Sequence, residues 1–278
     1  MKALGEVLQL SSRFLQDRNV ERPRRLVEDL LSHLLQCKRI DLYMQFDRPL
    51  DDSELSILRE WLKRTLKNEP LEYITGEVDF FDCKIKVDPR VLIPRPETEL
   101  LVDLIAKKIK DTKSLWDLCT GSGCIGISLK KKFTHLDVVL SDISSDAIAL
   151  AKENAERNGV DVTLCTGDLF APFVGKRTDL IVCNPPYVSS SEFLTLDPSV
   201  RDFEPRMALV GGERGSDFYE RLALEAPNYL ESGGWMFLEI GDRQGALVKE
   251  IFSSTVWKQI QLFQDLSGKD RFFFLEKQ

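Results

Sequence analysis

The stretch Ser114-Leu115-Trp116-Asp117-Leu118-Cys119-Thr120-Gly121-Ser122-Gly123-Cys124-Ile125-Gly126 decides how the rest of the chain folds. Ser114–Leu118 reads as a short buried strand and Cys124–Lys131 as a helix, so the residues between them form a strand-to-helix turn. Gly121 and Gly123 allow tight curvature and close approach of a ligand to the backbone. Ligands of open α/β sheets bind at the carboxyl ends of strands beside such a turn. Working outward, strands are expected at Leu136–Ser141, Val162–Cys165, Asp179–Cys183, Gly234–Ile240, Gln259–Phe263 and Arg271–Leu275. Helices are expected at Ser145–Asn158, Ser216–Leu230 and Gln244–Phe252. This alternation predicts a mostly parallel sheet with helices on both faces. The last two strands are too close in sequence for a crossover helix, so they are expected to be antiparallel.

Asp142 closes the second strand, where an acid can take both hydroxyls of an adenosine ribose. Gly121-x-Gly123-x-x-Gly126 with that acid also matches the dinucleotide fingerprint, so spacing alone leaves a nicotinamide cofactor open. Asp117 argues against it. A carboxylate at the end of the first strand sits badly beside a pyrophosphate but suits an ammonium or sulfonium group, and S-adenosylmethionine carries both. Gly167-Asp168-Leu169-Phe170, after the third strand, puts an acid and an apolar side chain where an adenine amine and ring would lie. Taken singly, each feature is an ordinary turn glycine or solvated acid. Their order along successive strand ends points to cofactor binding.

The fourth strand ends in Asn184-Pro185-Pro186-Tyr187. Two prolines stop it, fix φ at about −65° and remove two backbone donors. The residue before a proline is held out of the α region, so Asn184 stays extended. An amide, bare carbonyls and a phenol ring then share one space, suited to a planar NH2 group. Alone, the motif is equally compatible with a plain strand stop.

Residues 1–68 read as helices: Glu6–Phe14, a stripe from Leu26 to Leu35 after Pro23, and one from Leu55 to Leu66 behind the capping run Asp51-Asp52-Ser53-Glu54. Prolines and Gly76 punctuate residues 69–96, with Val78–Phe81 and Lys84–Val87 expected as a hairpin in a linker. A helix from Glu97 to about Lys110 opens the second domain, residues 97–278. No apolar run could span a bilayer and the first residues lack a signal-peptide core, so a cytoplasmic protein is expected. The six cysteines form no Cys-x-x-Cys pair and only two histidines are present, which disfavours a metal site and fits reduced buried thiols. The net charge is −7, and both the first 85 residues and the remainder are mildly acidic. A nucleic-acid substrate usually demands a basic footprint, which the composition does not show.

With these residues in view, the chain resembles the class I S-adenosylmethionine methyltransferases, Rossmann-like folds with a seven-stranded, mostly parallel sheet. Asn-Pro-Pro-Tyr after the fourth strand is similar to the branch that methylates planar NH2 nitrogens. Pro70-Leu71-Glu72-Tyr73-Ile74-Thr75-Gly76, Leu92-Ile93-Pro94-Arg95-Pro96-Glu97-Thr98-Glu99, Phe203-Glu204-Pro205 and Asp265-Leu266-Ser267-Gly268-Lys269-Asp270-Arg271 resemble the HemK/PrmC family of release-factor (protein-(glutamine-N5)) methyltransferases. The resemblance covers nearly the whole chain and is strongest from Pro70 onward. It implies a small all-α domain and a β-hairpin linker ahead of the methyltransferase domain. The implied substrate is the glutamine of the Gly-Gly-Gln loop of peptide chain release factors, with S-adenosylhomocysteine as the other product. Carried onto this sequence, the cofactor residues are Asp117, Cys119, Thr120, Gly121, Ser122, Gly123, Asp142, Asp168, Leu169 and Asn184. Asn184, Pro185 and Tyr187 are the expected catalytic residues; with Pro186, Arg95 and Glu204 they are expected to receive the substrate. The family usually has glycine where Cys119 stands. The N-terminal helices are expected to dock the release factor, and the protein to be a monomer. A nucleic-acid amino-methyltransferase and a non-catalytic cofactor-binding module remain the alternatives.

Overall fold

The computed structural model describes residues 2–109 and 112–278, which fall into two units. The first comprises residues 1–76 together with 198–203. It contains β1 (Lys2–Ala3), α1 (Leu4–Gln16), α2 (Pro23–Leu34), α3 (Arg39–Met44), β2 (Pro49–Leu50), α4 (Asp52–Thr65) and α5 (Leu71–Thr75). The expected leucine stripes become its core: Leu4, Leu8, Leu15, Val27, Leu30, Leu31, Leu58 and Leu62 are buried together. The capping run works as its chemistry suggests, with the Asp51 side chain accepting from the Glu54 amide and Glu54 reaching back to the Asp51 amide. Helix α3 and the short β1–β2 pair were not anticipated; both are too short to show a period.

The second unit holds β3 (Glu77–Phe80), β4 (Cys83–Lys86), α6 (Pro96–Ala106), β5 (Ser114–Leu118), α7 (Cys124–Lys132), β6 (Asp137–Asp142), α8 (Ser145–Asn158), β7 (Thr163–Thr166), β8 (Thr178–Cys183) and α9 (Ser190–Phe193). After α10 (Pro198–Arg201), which groups with the first unit, come α11 (Asp217–Glu225), β9 (Leu230–Glu239), α12 (Gly245–Ile251), β10 (Trp257–Gln264) and β11 (Asp270–Lys277). The seven-stranded sheet runs β10-β11-β9-β8-β5-β6-β7, and β11 is antiparallel to both neighbours. The chain steps from β5 outward to β7, then returns to β8 on the other side of β5. That reversal opens a crevice at the carboxyl ends of β5 and β8. Trp116, Leu118, Ile181, Cys183, Met236, Leu238, Phe273 and Leu275 fill one buried cluster of the sheet.

Some expected boundaries shift for identifiable reasons. The helix expected to reach Leu230 ends at Glu225, because Pro227 follows in a short 3-10 turn and Leu230 already pairs with Thr178. The helix expected to run to about Lys110 ends at Ala106; Lys110 itself lies outside the described residues. The segment expected as a linker divides: residues 69–76 group with the first unit, whereas the hairpin belongs to the second. Phe81 and Asp82 both take positive φ, which suits the tight turn between β3 and β4. Asn154 and Asn158 of α8 then act on β4 as a neighbouring strand would. Each side-chain amide both accepts from and donates to the backbone, Asn154 at Lys86 and Asn158 at Lys84. Among the described residues no helix is long and apolar enough to cross a membrane.

Candidate active site

The glycine turn is built from backbone conformations that few residues adopt. Gly121 and Gly123 have φ of 53° and 80°, and Cys119 has φ of 55°. Behind the turn, Asp117 is fully buried. Its Oδ2 accepts from the Thr120 hydroxyl at 2.7 Å and the Gly126 amide at 2.9 Å, tying the turn to the first residues of α7. Its Oδ1 is buried with no hydrogen-bond partner. Burial pushes Asp117 up to about 7, against the pull of those two hydrogen bonds. Asp142, at the end of β6, accepts from the Gly121 amide through Oδ2 and from the Ser144 amide through Oδ1, both at 2.9 Å. Each of its oxygens keeps a lone pair for a further donor. Burial raises its pKa, with these amides opposing.

At the end of β8, the Asn-Pro-Pro-Tyr strand end is held by residues distant in sequence. Val188 and Gly211 exchange backbone bonds with the 209–211 segment and Val188 respectively, and Ser190 donates to the Gly212 carbonyl. A Cβ on Gly211 would lie 2.3 Å from the Pro186 carbonyl oxygen, and one on Gly215 2.3 Å from that of Tyr187. Only glycine permits this approach. Gln244 donates to the Tyr187 carbonyl at 2.9 Å, while its own oxygen accepts from the Tyr219 hydroxyl and the Gly241 amide. The Tyr187 ring packs against the sheet core, and burial raises its phenol so that it stays neutral.

These two constructions face a common cleft of about 800 Å³, open mouth included. Cys119, Thr120, Gly121, Ser122, Asp142 and Asn184 line it, with Pro186 and Arg95. A second hollow of about 430 Å³ adjoins it and shares Cys119, Asp142, Ile143 and Phe218; Asp168 and Leu169 lie there. Several expected site residues sit differently. Asp117 does not reach the wall, because its carboxylate is spent on Thr120 and Gly126. Gly123 is turned inward, where a Cβ would meet Ile127 and Leu140. Pro185 is buried and does not line the cleft, and neither does Tyr187, whose ring packs against the sheet core. Glu204 is a buried brace that accepts from the Ile93 amide at 3.1 Å and pairs with Arg95 at 2.6 Å. Asp168 is half-exposed and paired with Arg221 at 2.9 Å.

Sequence reasoning missed Ile143, Phe218, Met207 and Thr98, all on the cleft wall. Ile143 left a signal: a large apolar residue in the polar turn after Asp142, 56% exposed in the fold. Phe218 and Met207 come from segments with no local mark of proximity. The groups present fit S-adenosylmethionine. Asp142, with lone pairs to spare on both oxygens, stands at a strand end, and the turn is open beside Gly121.

A seven-stranded sheet of this order, with a cleft at its switch point, defines a class I methyltransferase fold. A methyltransferase structure from Pyrococcus furiosus shares it, with a TM-score of 0.55 at 20% identity over 77% of this chain and 96% of that one. The family model described as "PrmC N-terminal domain" matches residues 6–76, and "Methyltransferase small domain" matches residues 96–196. The release factor glutamine methyltransferase of Geobacter sulfurreducens is 42% identical over 268 residues, covering 96% of this chain and 94% of that protein. That of Chlamydia trachomatis is 41% identical over 278 residues, covering 99% and 94%. The chain belongs to the release factor glutamine methyltransferase family.

Proposed function

We propose that this chain transfers the methyl group of S-adenosylmethionine to the side-chain amide nitrogen (N5) of the glutamine in the Gly-Gly-Gln loop of peptide chain release factors, and so acts in translation termination in the cytoplasm. The observation that carries this reading is the shared cleft: Asn184 lines the same cleft as Asp142 and the Gly121 turn. Asp142 would hold the ribose, the 119–122 turn the methionine part, and Leu169 and Ile143 the adenine. When bound, the cofactor supplies a methyl group activated on a sulfonium.

An amide nitrogen is a poor nucleophile because its lone pair is delocalised into the carbonyl. The Asn184 side-chain oxygen and the Pro185 carbonyl accept the two amide hydrogens and turn the nitrogen lone pair toward the cleft. These dipoles are fixed in advance, so they stabilise the positive charge that grows on nitrogen without reorganising. In-line approach requires roughly 3–3.5 Å between the reacting atoms. No strong base is needed, since the methylated nitrogen loses its proton to water. Helix α3 of the first unit leaves Ile40 and Met44 65% and 81% exposed, an apolar surface suited to docking a protein partner.

Incubation with methyl-labelled S-adenosylmethionine and either a release factor or RNA tests the reading. Label on the Gly-Gly-Gln glutamine is expected; label on an RNA base would overturn it, since such enzymes must extrude the base first. Asn184→Ala is expected to lower turnover by about 10²–10³-fold, on the scale of losing one preorganised polar contact to a developing charge. Cofactor affinity, read by calorimetry, should change little.

A further inference from the structure

Thr98 and Asn184, both on the cleft wall, share a partner that does not itself line the cleft. Glu239 ends β9 and is 1% exposed. Strands β8 and β9 run parallel with Cys183 opposite Leu238, so the next residues, Asn184 and Glu239, leave the sheet side by side. Glu239 Oε2 accepts from the Thr98 hydroxyl at 2.7 Å, and the Asn184 side chain lies beside the same carboxylate and opposes the rise of its pKa. A carboxylate only accepts, whereas an amide can present either its nitrogen or its oxygen. The atom of Asn184 that faces Glu239 must therefore be nitrogen, and its oxygen is turned away.

We propose that Glu239 is a positioning residue that locks the Asn184 amide with its oxygen toward the acceptor NH2 group, and that Thr98 fixes Glu239 in turn. This rests on the reading of Asn184 given above. Glu239 touches neither cofactor nor acceptor and acts through Asn184. It also gives Thr98, inside the Ile93-Pro94-Arg95-Pro96-Glu97-Thr98-Glu99 run, a physical task. The lock depends on charge. The groups acting on Glu239 are the Arg271 guanidinium, the Glu97 carboxylate, the Tyr187 and Tyr219 phenols and the Cys124 thiol. Burial pushes Glu239 up to about 7, with Thr98, Arg271 and Asn184 opposing. Below that range the protonated carboxyl can donate to the Asn184 oxygen, and the amide is no longer held one way round.

Steady-state kinetics of the full chain, with a release factor as acceptor, test the lock. Glu239→Gln should lower kcat at least tenfold while the cofactor Kd stays within threefold, because glutamine can offer Asn184 either a donor or an acceptor. Wild-type kcat should rise with pH through about 7; Glu239→Gln should lose that limb. Thr98→Val should move the limb to higher pH, since the carboxylate loses a donor. In an Asn184→Ala background, Glu239→Gln should have no further effect on kcat. The inference is overturned if Glu239→Gln keeps kcat within twofold of wild type with the same pH limb, or if the two substitutions multiply. Should Glu239→Gln fail to fold, Thr98→Val decides, and an unmoved limb sinks the idea. If Asn184→Ala itself retains turnover, the proposed mechanism falls; if only Glu239→Gln does, the mechanism stands and the lock falls.

Discussion

Each wall of the cleft is backed by a buried acid, and the two acids are held in opposite ways. Asp117, behind the glycine turn, bonds to Thr120 and Gly126, three and nine residues away. Glu239, behind the Asn-Pro-Pro-Tyr strand end, bonds to Thr98, 141 residues away, and lies beside Asn184, the residue that follows the neighbouring strand. The turn is thus a comparatively local construction, built where β5 meets α7 and held from the adjoining β6 and α8. The strand end exists only after β8, β9, α6 and the glycines near residue 211 have come together. The turn presents backbone geometry to a ligand. The strand end presents one oriented amide, and orientation is what long-range contacts can fix.

If the walls are independent, damage to one should spare the other. The largest effect is expected from Gly211→Ala. Its Cβ would lie 2.3 Å from the Pro186 carbonyl oxygen, a backbone atom that cannot move without shifting Asn184. Overpacking of this kind costs about 1–3 kcal/mol of stability. Turnover should fall at least tenfold, with cofactor affinity by calorimetry nearly unchanged. An equal loss of both would mean that the strand end and the turn behave as one body.

The next effect is a pH slope and belongs to the acid behind the turn. Asp117 has its folded pKa raised to about 7 from an ordinary 3.8. The folded state therefore holds a proton that the unfolded chain has released. The stabilising contribution is complete at low pH and is lost as pH rises through about 7. Asp117→Asn removes this dependence. Between about pH 4 and 7, the stability of the variant relative to wild type should improve by up to about 1.4 kcal/mol per pH unit. Calorimetric unfolding of the cofactor-free chain across that window checks it. Parallel curves would mean that Asp117 is ionised in the fold, with its orphaned Oδ1 partnered.

What could be read in the sequence follows the same division. The turn's glycines and Asp117 lie in one short stretch and Asp142 closes the next strand, so together they announced a mostly parallel sheet with a ligand at its strand ends. Leucine stripes and the capping box likewise carry their own period. The supports of the strand end left no local trace. Gln244 fell at the start of an expected helix and Glu239 inside the expected strand Gly234–Ile240, while Gly211 and Gly215 drew no reading. Asn154 and Asn158 fell within the expected helix Ser145–Asn158 with nothing to mark them, yet they bind the β4 edge. Asp117 shows the limit even of local reading: its position was evident, but not that its carboxylate would face the turn instead of the cleft.

The smallest expected effect concerns Cys119, where a side chain occupies a left-handed backbone position. An L-residue there costs roughly 1–2 kcal/mol, and glycine would remove that strain. Glycine also gives the unfolded chain more freedom, worth about 0.5–1 kcal/mol in the opposite sense. The two nearly offset, so Cys119→Gly should raise stability by about 1 kcal/mol or less. The cysteine lines both hollows of the cleft, which adds a second readout. If the turn works through backbone geometry alone, removing the Cβ and sulfur should leave cofactor affinity within about threefold of wild type, or roughly 0.7 kcal/mol. A tenfold loss of affinity, measured by calorimetry on a variant of unchanged melting temperature, would show that the sulfur packs against the ligand. The turn would then depend on a side chain after all, as the opposite wall does.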